Sequence, residues 1–208
     1  MSAGVGVPRI TTPPMTYEQY RAWCEVWWRV RDWPAQYAIA QEDLSRLVVC
    51  ALALTPGATV LELGVCHGRT LAALALAVAP LGGRAWGIDH WGLEGSRAEV
   101  EAELGIRNIH NYSLLEGNTH EVPWDLPLDM LVVDAGHDEA NVREDIAKYV
   151  PLVKVGGSAW FDDYDEPELG PEASPHWAVR HYADRACAGP GWRDLGIGER
   201  IRGWRRVA

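Results

Sequence analysis

Apolar side chains recur at three- and four-residue spacing over 16–31 and again over 35–54, with Pro34 between. That periodicity predicts two helices, an N-terminal preface to whatever follows. From Ala58 the pattern changes. The apolar run ATVLEL (58–63) ends at Gly64, and an alanine-leucine stretch over 69–78 stops at Pro80 and Gly82-Gly83, which predicts strand, glycine turn and helix. Further strands are expected over 85–88, 109–115, 128–133 and 157–161, with helices over 96–104, 139–150 and 176–187. This alternation predicts an α/β protein: a Rossmann-like, doubly wound, mainly parallel sheet with helices on both faces and ligands at the carboxyl ends of its strands. The last segment, GWRDLGIGERIRGWRRV, predicts an antiparallel hairpin turning near Gly196 and Gly198. The acidic, Pro- and Gly-rich stretch DDYDEPELGPEASP is expected to form a mobile loop over the strand ends. Residues 1–54 divide as an arm and packing helices from a main unit over 55–208, all within one globular body.

Composition narrows the classes. At 208 residues, 48% hydrophobic and 23% charged, the chain is long enough for one substantial core and too ordinary for disorder or a fibrous repeat. A net charge of -10 argues against a nucleic-acid partner. Cys24, Cys50, Cys66 and Cys187 form no C-x-x-C pair, so reduced thiols in a cytoplasm are expected. The N-terminus lacks the pattern of a secretion signal, and the most apolar run, TLAALALAVAPL, is about half the length that crosses a bilayer. No membrane partner is expected. Eleven tryptophans stand against one phenylalanine, and Trp23, Trp27 and Trp28 follow helical spacing, which suits a core face or a homo-oligomer contact through the preface.

The first strand-to-helix switch carries VLELGVCHGRT, in which Glu62, Gly64, Gly68 and Thr70 make E-x-G-x-x-x-G-x-T. The dinucleotide frame G-x-G-x-x-G fails here, and no Gly-Lys-Ser/Thr follows for a phosphate loop. A tight turn preceded by a carboxylate repels pyrophosphate and suits a cationic ligand such as S-adenosylmethionine. Asp89, about 25 positions beyond Gly64, ends the next strand, where an acid accepts from ribose hydroxyls. His90 borders the same region. Gly117-Asn118-Thr119 suits either an adenine edge or a plain turn. The plain alternative for the whole motif is a turn closed by Gly64 and Gly68 with Glu62 in a buried ion pair.

Asp134 ends the fourth strand and Asp162-Asp163 the fifth, and neighbouring strands lie about 4.8 Å apart. Three such carboxylates would raise one another's pKa unless a cation sat among them, and oxygen-only ligands favour a hard divalent ion, Mg2+ first. Helix and loop capping is the alternative use of each acid. His137, three residues past Asp134, is the candidate general base, with helix capping as its alternative. Trp91, Tyr164, His176 and Trp177 are candidate substrate contacts, and the arginines at 200, 202, 205 and 206 suit the solvated side of the terminal hairpin.

The glycine motif, Asp89 and DMLVVDAGHDEANVREDIAKYVPLVKVGGSAWFDDYD together resemble the class I S-adenosylmethionine-dependent methyltransferases, and within them the small metal-dependent O-methyltransferases acting on catechols and natural-product sugars. The resemblance covers roughly 55–165. It implies that Glu62, Gly64, Asp89, Asp134 and the Gly117-Asn118 turn hold the cofactor, that Asp134, Asp162 and Asp163 hold the metal, and that His137 takes a hydroxyl proton from a small molecule. His67 inside the glycine turn and the tryptophan-rich start depart from the family pattern. A nucleic-acid or protein methyltransferase lacks support from Asp-Ala-Gly-His after the fourth strand, where base-modifying enzymes commonly carry Asn/Asp-Pro-Pro-aromatic. A metal-independent methyltransferase and a non-catalytic nucleoside-binding module are the remaining alternatives.

Overall fold

The computed structural model describes residues 15–34, 39–92, 95–164 and 176–208. The expected N-terminal arm, the first residues of the expected second helix and most of the acidic loop lie outside the described residues. Helix α1 (Tyr17–Val30) starts from a capping box in which Thr16 and Gln19 satisfy each other's backbone donors. Helix α2 spans Gln41–Leu52, with Glu42 and Asp43 in the first turn where the helix dipole favours acids. Its start at Gln41 is later than the periodicity predicts.

Five strands run parallel: β1 (Thr59–Leu63), β2 (Arg84–Asp89), β3 (Tyr112–Glu116), β4 (Leu128–Val133) and β5 (Val153–Phe161). The helices α3 (Arg69–Val78), α4 (Arg97–Ile106), α5 (Glu139–Tyr149) and α6 (Trp177–Cys187) accompany them. An antiparallel pair, β6 (Trp192–Ile197) and β7 (Arg202–Arg206), completes a sheet ordered β3-β2-β1-β4-β5-β7-β6. The reversal of strand order between β1 and β4 opens a crevice at their carboxyl ends.

Alternation along the strands divides the core. Val60, Met130 and Val132 pack under α1 to α4, whereas Leu61, Leu63, Leu131 and Val133 pack against α5 and α6. Trp23 and Trp33 are buried in the first of these layers, so the preface shares the core of the sheet; Trp28 stays exposed. Three boundaries differ from expectation. The third strand begins at Tyr112 because Asn108 turns left-handed (φ +54°) and Ile109 drops into the core. The fifth extends back to Val153 through an irregular stretch that breaks the pairing with β4 between Leu128 and Met130. Gly196 lies within β6 at a register shift, and the hairpin closes from Gly198 to Ile201. Among the described residues no helix is long and apolar enough to cross a membrane.

Candidate active site

At the carboxyl edge of the sheet lies a cleft of about 740 Å³, within the range of small-molecule sites. Its floor is set where β1 gives way to α3. Gly64 has φ +83°, and a Cβ there would fall 1.9 Å from the Asp134 carbonyl oxygen, so only glycine lets the end of β1 pass this close to β4. Asp89 ties the turn to β2: its Oδ2 accepts the N–H groups of Val65 and Cys66, both at 2.8 Å, and its Oδ1 accepts that of Trp91 at 2.7 Å. A carboxylate has about four acceptor sites, so Asp89, which also lines the cleft, keeps capacity for a ligand hydroxyl.

The rest of the glycine motif works from beneath. Glu62 is buried and faces α3, where the Leu71 N–H bonds it; burial first and the charge of Asp89 second hold its carboxyl well above the ordinary range. Gly68 caps α3 in a left-handed conformation against Val100, and Thr70 is buried in the first turn. These three shape the cleft through the turn and do not line it.

Gly117, Asn118 and Thr119 line the opposite wall together with His90, whose Nδ1 accepts the Gly92 N–H at 2.7 Å. The wall is fastened from α5. Lys148 Nζ donates to the carbonyls of Thr119 (3.2 Å), His120 (3.0 Å) and Val122 (2.6 Å), and the Tyr149 hydroxyl donates to Thr119 O at 2.6 Å.

The acids divide into two groups. Asp134 and Asp162 lie against each other, with burial the main force raising both carboxyls; Asp162 reaches about 6, and the Arg200 charge pulls each the other way. Asp163 turns aside with φ +53°. Its Oδ2 meets His137 Nε2 at 3.0 Å and His176 Nδ1 at 2.9 Å, and its Oδ1 pairs with the Arg200 guanidinium. The two imidazoles stack, centroids 4.3 Å apart. Among the described residues, the donor atoms that converge as metal ligands would are those of His137, Asp163 and His176, all within 4.8 Å, rather than the expected trio of aspartates. What sets Asp163 apart is its partners, His137, His176 and Arg200, whereas Asp134 and Asp162 pair with each other.

Three of the expected substrate contacts point elsewhere. Tyr164 is 2% exposed; its hydroxyl donates to Asp184 at 2.6 Å and accepts from Arg202 at 3.0 Å, which makes it a core residue. Trp91 packs on the first core layer, and Trp177 on the second with an edge contact to His181. His176 alone of the four reaches the acids. Conversely Arg200, expected on the solvated side of the hairpin, lines the cleft. Buried Asp43 of α2 places it by accepting the N–H groups of Glu199 (2.7 Å) and Arg200 (2.8 Å). No sequence signal marks that contact, which joins residues more than 150 positions apart.

Residues 61–164, half of the chain, match the family described as a methyltransferase domain. The chain belongs to that family, and its fold is the class I fold of S-adenosylmethionine-dependent methyltransferases. No curated protein matches its sequence. Solved structures resemble it at low identity. The S-adenosylhomocysteine-bound methyltransferase PaMTH1 of Podospora anserina is 16% identical, with TM-score 0.63, covering 95% of this chain and 91% of that one. The O-methyltransferase TomG of Streptomyces achromogenes, in complex with S-adenosylmethionine, is 17% identical, with TM-score 0.61 and 90% of both chains covered. An rRNA methylase of Streptococcus thermophilus is 14% identical, with TM-score 0.58, covering 82% of this chain and 100% of that one.

Proposed function

We propose that this methyltransferase moves the methyl group of S-adenosylmethionine to a hydroxyl of a small molecule, with a vicinal diol of a sugar or a catechol-like ring as the favoured acceptor. One observation carries the reading: the cleft bounded by Gly64, Asp89 and Gly117 runs directly into the cluster of His137, Asp163 and Arg200. Among the described residues, five carboxyl groups line this cleft against one guanidinium, a balance that suits a ligand bearing sulfonium and ammonium charges and opposes a polyphosphate backbone. The same balance favours a small acceptor over RNA.

Bound there, the cofactor supplies an electrophilic sulfonium methyl. The protein's part is placement. Asp89 takes a ribose hydroxyl with its remaining acceptor capacity, and the Lys148-fastened turn at Gly117 holds the base end. The acceptor hydroxyl would face His137, whose imidazole would take its proton as the oxygen bonds the methyl carbon and the C–S electron pair stays on sulfur. Holding oxygen and carbon about 3 Å apart and in line lowers the barrier by several kcal/mol. Incubation with isotope-labelled S-adenosylmethionine and a panel of diols and catechols, followed by mass spectrometry and NMR of the product, tests this. An O-methyl product whose formation S-adenosylhomocysteine inhibits is expected; a methyl group on nitrogen or carbon overturns it.

A further inference from the structure

We propose that His137 Nε2, Asp163 Oδ2 and His176 Nδ1 form a binding site for one divalent transition-metal ion, Zn2+, Co2+ or Mn2+ in preference to Mg2+. The inference rests on the reading above, in which the acceptor hydroxyl faces this cluster, and gives that cluster its chemistry.

Both imidazole nitrogens aim at a single carboxylate oxygen, at 3.0 and 2.9 Å. Donors about 2.1 Å from a common ion at right angles stand roughly 3.0 Å apart, so a small shift of the carboxylate admits an ion with little rearrangement of the rings. The stack of the two rings, 4.3 Å between centroids, keeps both nitrogens on the same side. Asp163 itself is committed to this geometry. It is buried, holds a left-handed backbone that costs a non-glycine residue stability, and has its other oxygen engaged by Arg200, which leaves Oδ2 as a single-oxygen ligand. Two imidazoles and one carboxylate select borderline metals over Mg2+, which prefers oxygen ligands and water. Three protein ligands leave positions for acceptor oxygens, and an ion there would lower the pKa of a bound hydroxyl.

The experiment uses the whole chain, stripped of metal with a chelator and titrated with Co2+, whose visible absorption reports nitrogen ligation; S-adenosylhomocysteine affinity, measured by calorimetry, reports an intact fold. A single Co2+ per chain is expected, displaced by Zn2+ and not by Mg2+. His176→Ala is expected to weaken Co2+ binding at least tenfold while S-adenosylhomocysteine affinity stays within about twofold. Asp134→Asn and Asp162→Asn are expected to keep the Co2+ absorption. Absence of that absorption in the unaltered protein overturns the inference. So does its loss in the two asparagine variants with retention in His176→Ala, which would assign the ion to the paired carboxylates. Neither result touches the O-methylation reading, which falls only on the position of the methyl group in the product.

Discussion

The indole N–H of Trp33 donates to the carbonyl of His67 at 2.7 Å, so a tryptophan of the N-terminal preface holds the glycine turn that floors the cleft. Trp33 is 6% exposed and Arg107 lies over its ring at 4.7 Å, which fixes the donor in place. Trp33→Phe keeps most of the packing and removes the bond. Unfolding free energy is expected to fall by about 1 kcal/mol, the ordinary worth of one such bond plus part of a smaller ring. S-Adenosylhomocysteine affinity, read by calorimetry, is expected to weaken severalfold; an unchanged affinity would separate the preface from the site.

Gly64→Ala tests the floor itself. The added Cβ meets backbone, the Asp134 carbonyl, which cannot swing aside as a side chain would. A left-handed φ adds to the cost, and the variant is expected to lose more than about 3 kcal/mol or fail to accumulate as folded protein. Gly57 has a similar φ of +77° with open space around it, so Gly57→Ala is expected to lose only about 1 kcal/mol. Urea titrations of the pair isolate the clash from the backbone strain.

The contrast between these sites explains what the sequence disclosed. Periodicities along the chain reported the strands, the helices and the terminal hairpin because burial on one face leaves its mark residue by residue. Strand-end residues such as Gly64, Asp89 and Asp134 were legible for the same reason: the fold puts strand ends on the cleft. Side-chain direction was not. The backbone of Asp163 turns left-handed and the hydroxyl of Tyr164 finds Asp184, choices fixed by partners that periodicity does not reveal. Arg200 reaches the cleft through Asp43, and Lys148 reaches the Gly117 turn from α5, both by long-range contacts with no local motif.

Tyr164→Phe distinguishes a core residue from a substrate contact. Its hydroxyl bonds Asp184 and Arg202, and burial pushes its pKa up to about 12. Loss of these bonds is expected to cost about 1 to 2 kcal/mol in unfolding free energy. KM for the acceptor is expected to stay unchanged, and a several-fold rise in KM without a change in stability would return Tyr164 to the substrate surface.

Asp145 on α5 supplies a pH dependence. Burial pushes its carboxyl up to about 6, with Thr119, His120 and Lys148 pulling the other way. Between its ordinary value of 3.8 and about 6 the folded chain holds a proton that the unfolded chain has released, so this group makes stability fall as pH rises through that window. Above it, the folded state carries a buried charge at a cost. Asp145→Asn removes the titration, and the variant is expected to gain on the unaltered protein by about 1 kcal/mol more at pH 8 than at pH 5. Urea unfolding at the two pH values measures this; a gain that is larger at pH 5 would reverse the sign and show that Lys148 and His120 hold the carboxylate ionised.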